Sequence, residues 1–541
     1  MQIHSGIKLF VPFSSVFLLL LLTGFKMTPK SRAVVSSASP EATNTGIQIL
    51  EKGGNAIDAA VAISFALAVT EPAMSGLGGG TQILISFPGK TPFLINGTTF
   101  APALTDPKIS KDSLTFHKRT TIPSTVKVLY YAWKKYGSKK LTWNQLLQPS
   151  IDLAKKGFAM GQFRADVYKM YENAMLTSPF YTSFWLKDGK SSPGKGEVIK
   201  QPVLAKTLER IAQYGAADFY DGEIAKAISR DMEKNGGWIR YDDLKNFPEP
   251  SERLALSINY NNYTVYSMPP PGGGFAMLQI LRLHEKTVSL NPSLSEFETW
   301  GRILKAVHSD RSMNPIVNMN DYEQQVKDKL SDSYINNLYN NTTSMTTRET
   351  TGETTHFSVI DKNGVAVAVT ASINAYFGAK AASPELGFLY NTYMDDFEFN
   401  KPNHPLAIRP GAMGVSSMCP TIVQQDGKTV LIAGTPGSGR IISTVAQVVS
   451  SWISDNDIEK AVYNKRYHVS GKTFYIEDLQ LRDSLLKTGL EGFVIREPSN
   501  YLMRNGINSY FGGVHAIALQ KGVWTGAADP RRDGTVGYTT K

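Results

Sequence analysis

Residues 353–370, ETTHFSVIDKNGVAVAVT, decide the fold. His356–Ile360 and Val365–Thr370 are apolar-patterned runs of strand length, and Asp361-Lys362-Asn363-Gly364 between them has turn chemistry. The stretch therefore reads as strand, turn, strand. Upstream, Ser331–Thr355 is rich in Asn, Thr and Ser, ending in TTSMTTRETTGETT (342–355), and its polarity predicts an exposed loop open to proteolysis. A loop thus meets a strand at a threonine. A threonine hydroxyl is a weak nucleophile unless a base adjoins it. Cutting the peptide bond before the threonine supplies one, because the freed α-amino group, with a pKa of about 7.7–8.0, accepts a proton near working pH.

Working outward, Val34-Val35 reads as a short strand and Ser39-Pro40-Glu41 as a helix start, with a capping serine before a first-turn proline. Gly53-Gly54 ends that helix, and Asn55–Val69 is apolar enough for a second, buried one. SGLGGG at 75–80 predicts close backbone packing into a strand at Gln82–Phe87; no G-K-[ST] follows, so it is not a phosphate loop. From Leu129 to about Asp310 helical patterns dominate, as in Leu204–Tyr214 and Ile224–Lys234. Thr429–Ala433, a glycine turn and Arg440–Ile453 read as strand, turn, helix. Helix-rich and strand-rich segments around sheets give an α/β or α+β architecture.

Composition removes several classes. With 541 residues, 42% hydrophobic, 25 Phe and 24 Tyr, the chain can bury a large core and is not disordered. A mean hydropathy of −0.19 excludes a multi-span membrane protein. The single cysteine, Cys419, excludes an intramolecular disulfide framework and a thiolate zinc cage. The net charge of +10 is spread without a basic block, which argues against nucleic acid as a partner. Eight scattered histidines without H-E-x-x-H argue against a zinc hydrolase. GTPGSGRI at 434–441 has Arg440 and Ile441 where a nucleotide-binding loop needs Lys and Ser/Thr. Leu9–Phe25 is almost wholly apolar between Lys8 and Lys26, so residues 1–32 are either a removable export signal or a membrane anchor, and the location is extracytoplasmic. The folded part begins near Ala33.

Seven motifs, taken together and in order, carry a resemblance: SPEATNTGIQILEKGGNAIDAAVA (39–62), GLGGG (76–80), YSMPPPGGG (266–274), TTHFSVID (354–361), MDDF (394–397), SSMCPTIV (416–423) and GAADPR (526–531). From about Ala33 to its end the chain resembles the γ-glutamyltranspeptidase family of N-terminal-nucleophile hydrolases. The resemblance implies an α+β fold, a four-layered αββα sandwich. It implies self-cleavage before Thr354, giving a large helix-rich fragment (33–353) and a small strand-rich fragment (354–541) that stay associated. It also implies an acyl-enzyme formed from a γ-glutamyl or other acyl amide and released to water or an amine such as an amino acid. No metal or organic cofactor is implied.

By the same resemblance Thr354 is the nucleophile, and Ser372 stands where relatives carry a second threonine that bonds it. Asn374 and Asp396 match positions that hold the amino end of a glutamyl group, and Tyr393 replaces a Gln or Glu beside them. Ser416 and Ser417 match a carboxylate-binding pair; by residue type alone they equally suit a turn. Gly437 and Ser438 match the backbone donors of an oxyanion hole. Two further departures matter. Thr98, in NGTTFAP (96–102), stands at the family's carboxylate-gripping arginine, which predicts relaxed selectivity for that carboxylate, and Phe397–Val415 is shorter than the usual active-site lid. The alternatives are an amidase for a different acyl group and a non-catalytic surface binding protein on the same fold.

Overall fold

The 353–370 hairpin lies in the middle of a seven-stranded sheet, and the alternation of its side chains sets the layers. The computed structural model describes residue 1 and residues 32–178, 186–187, 189–316, 321–340, 352–498 and 501–540. Two antiparallel sheets dominate, built from β1 (Val34–Ser37), β2 (Gly80–Ser86), β3 (Phe93–Asn96), β4 (Ser251–Leu254), β5 (Leu256–Tyr260), β6 (Tyr263–Ser267), β7 (Glu353–Ile360), β8 (Ala366–Asn374), β9 (Thr421–Gln425), β10 (Lys428–Ala433), β11 (His515–Gln520), β12 (Val523–Ala528) and β13 (Thr535–Tyr538). The first runs β13-β1-β7-β8-β2-β3-β4 and the second β12-β11-β10-β9-β6-β5.

Because strand side chains alternate between faces, Phe357, Val359, Val367 and Val369 share one core with helices α1 (Pro40–Glu51) and α2 (Ala56–Thr70). Their neighbours Ile360, Ala366 and Ala368 point the other way and meet Ile422, Ile432 and Ile517 of the second sheet. The far face of that sheet, with Ile258, Val265, Val423 and Leu431, packs on α3 (Gly274–Leu290), α4 (Glu296–Met313) and α5 (Arg440–Asp455). The order is helix, sheet, sheet, helix, the expected α+β sandwich of N-terminal-nucleophile type.

Local chemistry fixes the first helical layer. Ser39 caps α1 by accepting from the Ala42 N–H, with Pro40 in the first turn. Asn55 and Asp58 form a reciprocal capping box on α2, which is buried at every position and so lacks a polar face. Asp361, in the hairpin turn, accepts from the Ala56 N–H at 3.0 Å and ties α2 to the central strands.

One expectation is refined and one corrected. The region 129–310 is dominated by helices, as expected, and also contains β4, β5 and β6; β5 and β6 turn at Asn261 and Asn262, whose φ values of +45° and +63° suit a tight hairpin. Within Ser331–Thr355, Asp332–Asn340 is a helix anchored by buried Ile335, and Glu353, Thr354 and Thr355 are buried in β7 instead of lying on an exposed loop. The apolar segment 9–25 lies outside the described residues. Among those described, no helix is long and apolar enough to cross a membrane.

Candidate active site

The pairing of β7 with β8 breaks at one place. Ala371 faces Thr355, and the next pair is Asn374 with Glu353, so Ser372 and Ile373 together oppose the single residue Thr354. A bulge of this kind re-aims a side chain, and here it turns Ser372 onto Thr354. The Thr354 hydroxyl donates to Ser372 Oγ at 3.2 Å, and the Ser372 hydroxyl donates to the Glu353 carbonyl oxygen at 2.7 Å. A hydroxyl thus stands beside the peptide carbonyl preceding it, with a relay between them. The glycine turn permits this approach: a Cβ on Gly79 would lie 2.3 Å from the Ser372 carbonyl oxygen, as its predicted role in backbone packing requires.

The flanking residues are held by buried charge. Glu353 accepts from Arg440 Nη2 at 3.2 Å and from Arg532 Nη2 at 2.5 Å, and Arg440 Nη2 also reaches the Gly352 carbonyl at 3.3 Å. Arg440 lies over the rings of Tyr510 and Tyr501, at 4.5 and 5.1 Å. Thr355 donates to Glu71 Oε2 at 2.7 Å. Burial pushes the Glu71 carboxyl up to about 7, against the Thr355 hydrogen bond and the nearby Arg532 and Arg164. His356 is no base for Thr354: it lies between the sheets, bonded to Thr370 and Ser358, and burial holds its pKa well below the usual value.

A cavity of about 270 Å3 opens at this point, and its wall includes Thr354, Ser372, Asn374, Asp396, Ser416, Ser417 and Ser438. Sequence-distant candidates therefore converge. Asn374 donates its amide N–H to the Thr392 carbonyl at 3.1 Å, which leaves the amide oxygen as its acceptor. Tyr393 sits just behind, fully buried, with its hydroxyl 3.5 Å from the Ser372 carbonyl oxygen; burial raises its pKa. Gly437 and Ser438 lead into α5 with φ of +126° and +55°, so the segment turns at the helix N-terminus, where backbone N–H groups and the helix dipole favour negative charge. Ser438 takes a left-handed conformation that glycine adopts more readily.

Thr98 is not on the cavity wall. Its hydroxyl donates to Asn96 Oδ1 at 2.6 Å and accepts from Gln82 Nε2 at 3.3 Å. The Phe397–Val415 segment contributes Glu398, His404, Leu406 and Val415 to the wall. Sequence reasoning missed Glu71, Arg311, Arg532 and the true setting of Arg440. Only the GAADPR motif, adjoining Arg532, carried a signal.

The γ-glutamyltranspeptidase family model matches residues 42–539. The chain is 36% identical over 476 residues to a glutathione hydrolase proenzyme of Escherichia coli, covering 81% of each chain. It is 33% identical over 463 residues to a glutathione hydrolase proenzyme of Pseudomonas aeruginosa, covering 78% of this chain and 80% of that one. Among solved structures, a cephalosporin acylase from Bacillus halodurans shares the fold, with a TM-score of 0.81 at 23% identity over 94% of this chain and 96% of that one.

Proposed function

The chain belongs to the γ-glutamyltranspeptidase family, and we propose that it is a self-processing enzyme whose Thr354 cleaves γ-glutamyl amides such as glutathione through an acyl-enzyme. The observation that carries this is the relay from the Thr354 hydroxyl through Ser372 to the Glu353 carbonyl. In the precursor, Thr354 Oγ1 attacks the Glu353 carbonyl carbon, its proton passing to Ser372 Oγ as the Ser372 proton moves to the carbonyl oxygen. The C–N bond breaks, an ester to Thr354 Oγ1 forms, and the freed amine takes a proton. Water then hydrolyses the ester, leaving a carboxylate on Glu353 and a free α-amine on Thr354.

That amine is the base for turnover. Thr354 Oγ1 attacks the acyl carbon of the bound amide, the amine leaving group departs with a proton, and water or an amine such as an amino acid accepts the acyl group. The ammonium of a glutamyl donor suits Asp396 and the Asn374 amide oxygen, with Tyr393 backing them, and its carboxylate suits Ser416 and Ser417. Backbone N–H groups at Gly437 and Ser438 face the developing oxyanion. Cleavage divides the chain into a large fragment that ends at Glu353, with residues 1–32 either retained or lost, and the small fragment 354–541. The first sheet supports their lasting association, since β1 of the large fragment lies between β13 and β7 of the small one. An extracytoplasmic location through residues 9–25 belongs to the same proposal.

The test compares wild type with Thr354→Ala on γ-glutamyl amides and on a panel of other acyl amides. Wild type releases amine fastest from γ-glutamyl donors, and the variant stays one chain and is inactive. Turnover of another acyl class alone would replace the substrate assignment, and an active Thr354→Ala would remove the mechanism.

A further inference from the structure

Three lysine or arginine side chains line the cavity among the described residues: Lys111, Arg311 and Arg440. Arg440 is committed to Glu353 and Gly352. Lys111 is exposed at the rim. Nearby Arg119 is paired bidentately with Asp395. Arg311 differs from all of these. It sits in the last turn of α4, its Nη1 donates to Ser417 Oγ at 3.1 Å, and its Nη2 donates to the Ser416 carbonyl at 3.1 Å. No carboxylate among the described residues bonds it. Its nearest opposite charge is Asp396, across the same cavity wall and not bonded to it in any ion pair, so the guanidinium stands where an anionic ligand group beside Ser416 and Ser417 would meet it.

The serine pair is prepared for the same task. Ser417 Oγ accepts from Arg311, and Ser416 Oγ accepts from the Met418 N–H at 3.1 Å. With its oxygen accepting from Arg311, Ser417 has its O–H to donate, and Ser416, which also meets the buried Tyr393 hydroxyl, has its own. Two hydroxyl donors in front of a guanidinium make a receptor for a carboxylate. Thr98, tied to Asn96 and Gln82, takes no part.

We propose that Arg311, acting through Ser417, sets selectivity for an α-carboxylate on the acyl donor, in place of the arginine absent at Thr98. Arg311 is a positioning residue: it orients Ser417 and supplies the charge behind it, and the hydroxyls make the contact. The inference rests on the γ-glutamyl reading of the site and replaces the expectation of relaxed selectivity drawn from Thr98 alone.

The experiment uses processed enzyme and two chromogenic anilides, γ-glutamyl and 4-aminobutyryl, which differ only in the α-carboxylate. Wild type, Arg311→Gln and Arg311→Lys are compared after the two fragments of each are verified on a gel. Arg311→Gln is expected to lower kcat/KM for the γ-glutamyl anilide by about 10- to 100-fold, chiefly through KM, as loss of a charge-assisted contact does. The 4-aminobutyryl anilide should change by less than about twofold, and Arg311→Lys should recover part of the loss. An equal fall on both substrates, or no fall on either, overturns the role of Arg311. A variant that fails to process is judged by Arg311→Lys alone, whose substrate ratio must then shift in the same direction. Wild type that turns over neither anilide rejects the γ-glutamyl reading itself, and wild type that turns over both equally rejects the carboxylate receptor.

Discussion

Replacing Glu353 by glutamine tests what holds the scissile peptide in place. Glu353 is 1% exposed and bonds Arg440 and Arg532, whose side chains are 2% and 1% exposed. The amide keeps the shape and one acceptor but removes the carboxylate that both guanidiniums share, so two buried cations are left near one another. Removing one partner of a buried ion pair costs about 3–5 kcal/mol. The aromatic faces beside the cations, Tyr510 at 4.5 Å from Arg440 and Phe163 at 4.7 Å from Arg532, retain some stabilisation and favour the lower figure, about 3 kcal/mol. Cleavage should suffer as well, because Arg440 also holds the Gly352 carbonyl. A shift of the reacting atoms by about 1 Å costs on the order of 100-fold in rate. Stability is read from denaturation midpoints in a Thr354→Ala background, where both proteins stay uncut, and cleavage from a gel time course with Thr354 present. A Glu353→Gln protein that cuts at the wild-type rate with an unchanged midpoint would refute the clamp.

Three further outcomes follow from the same geometry. Ser372→Ala should slow self-cleavage by about 100- to 10,000-fold, the usual worth of a positioned proton relay, and Ser372→Thr should restore it; equal rates on the gel for all three would dismiss the relay. Ser438→Gly should leave turnover within about twofold, since only a backbone N–H is required of that position, and a tenfold loss would assign the work to the side chain. Burial raises the Glu71 carboxyl from 4.5 to about 7. Between those values the folded chain holds a proton that the unfolded chain has released, so stability falls as pH rises through the window. In the uncut background, Glu71→Gln should therefore gain on the parent by about 3 kcal/mol from pH 4.5 to above pH 7. A constant difference across that range in chemical denaturation would show that Glu71 is not held protonated.

How much was legible in the sequence follows from the range over which each feature acts. Ser39-Pro40, the buried helix that follows Gly53-Gly54 and the 361–364 turn are local, and all three stand where the chain predicts them. The β5–β6 hairpin is equally local, with Asn261-Asn262 at its turn, and short strands of this kind are easily passed over between long helical patterns. Asp332–Asn340 was lost to composition, because one buried Ile335 is a weak signal in a polar stretch. The site divides in the same way. Thr354, Ser372 and the serine pair sit in motifs with family precedent, whereas the Glu353–Arg532 pair joins residues 179 positions apart and Thr355–Glu71 joins residues 284 apart. No pattern along the chain announces such partners; only the sandwich brings them together. Arg440 illustrates the difference, since its sequence context marks it as a failed nucleotide loop and its surroundings make it the anchor of Gly352 and Glu353.

The most direct test is the N-terminus of the small fragment, read by sequencing and intact mass on purified wild type. The account predicts a fragment of 188 residues beginning Thr354-Thr355-His356-Phe357, present in wild type and missing in Thr354→Ala. A first residue at Thr350, Thr351 or elsewhere, or an uncut wild type with full activity on γ-glutamyl amides, would contradict it.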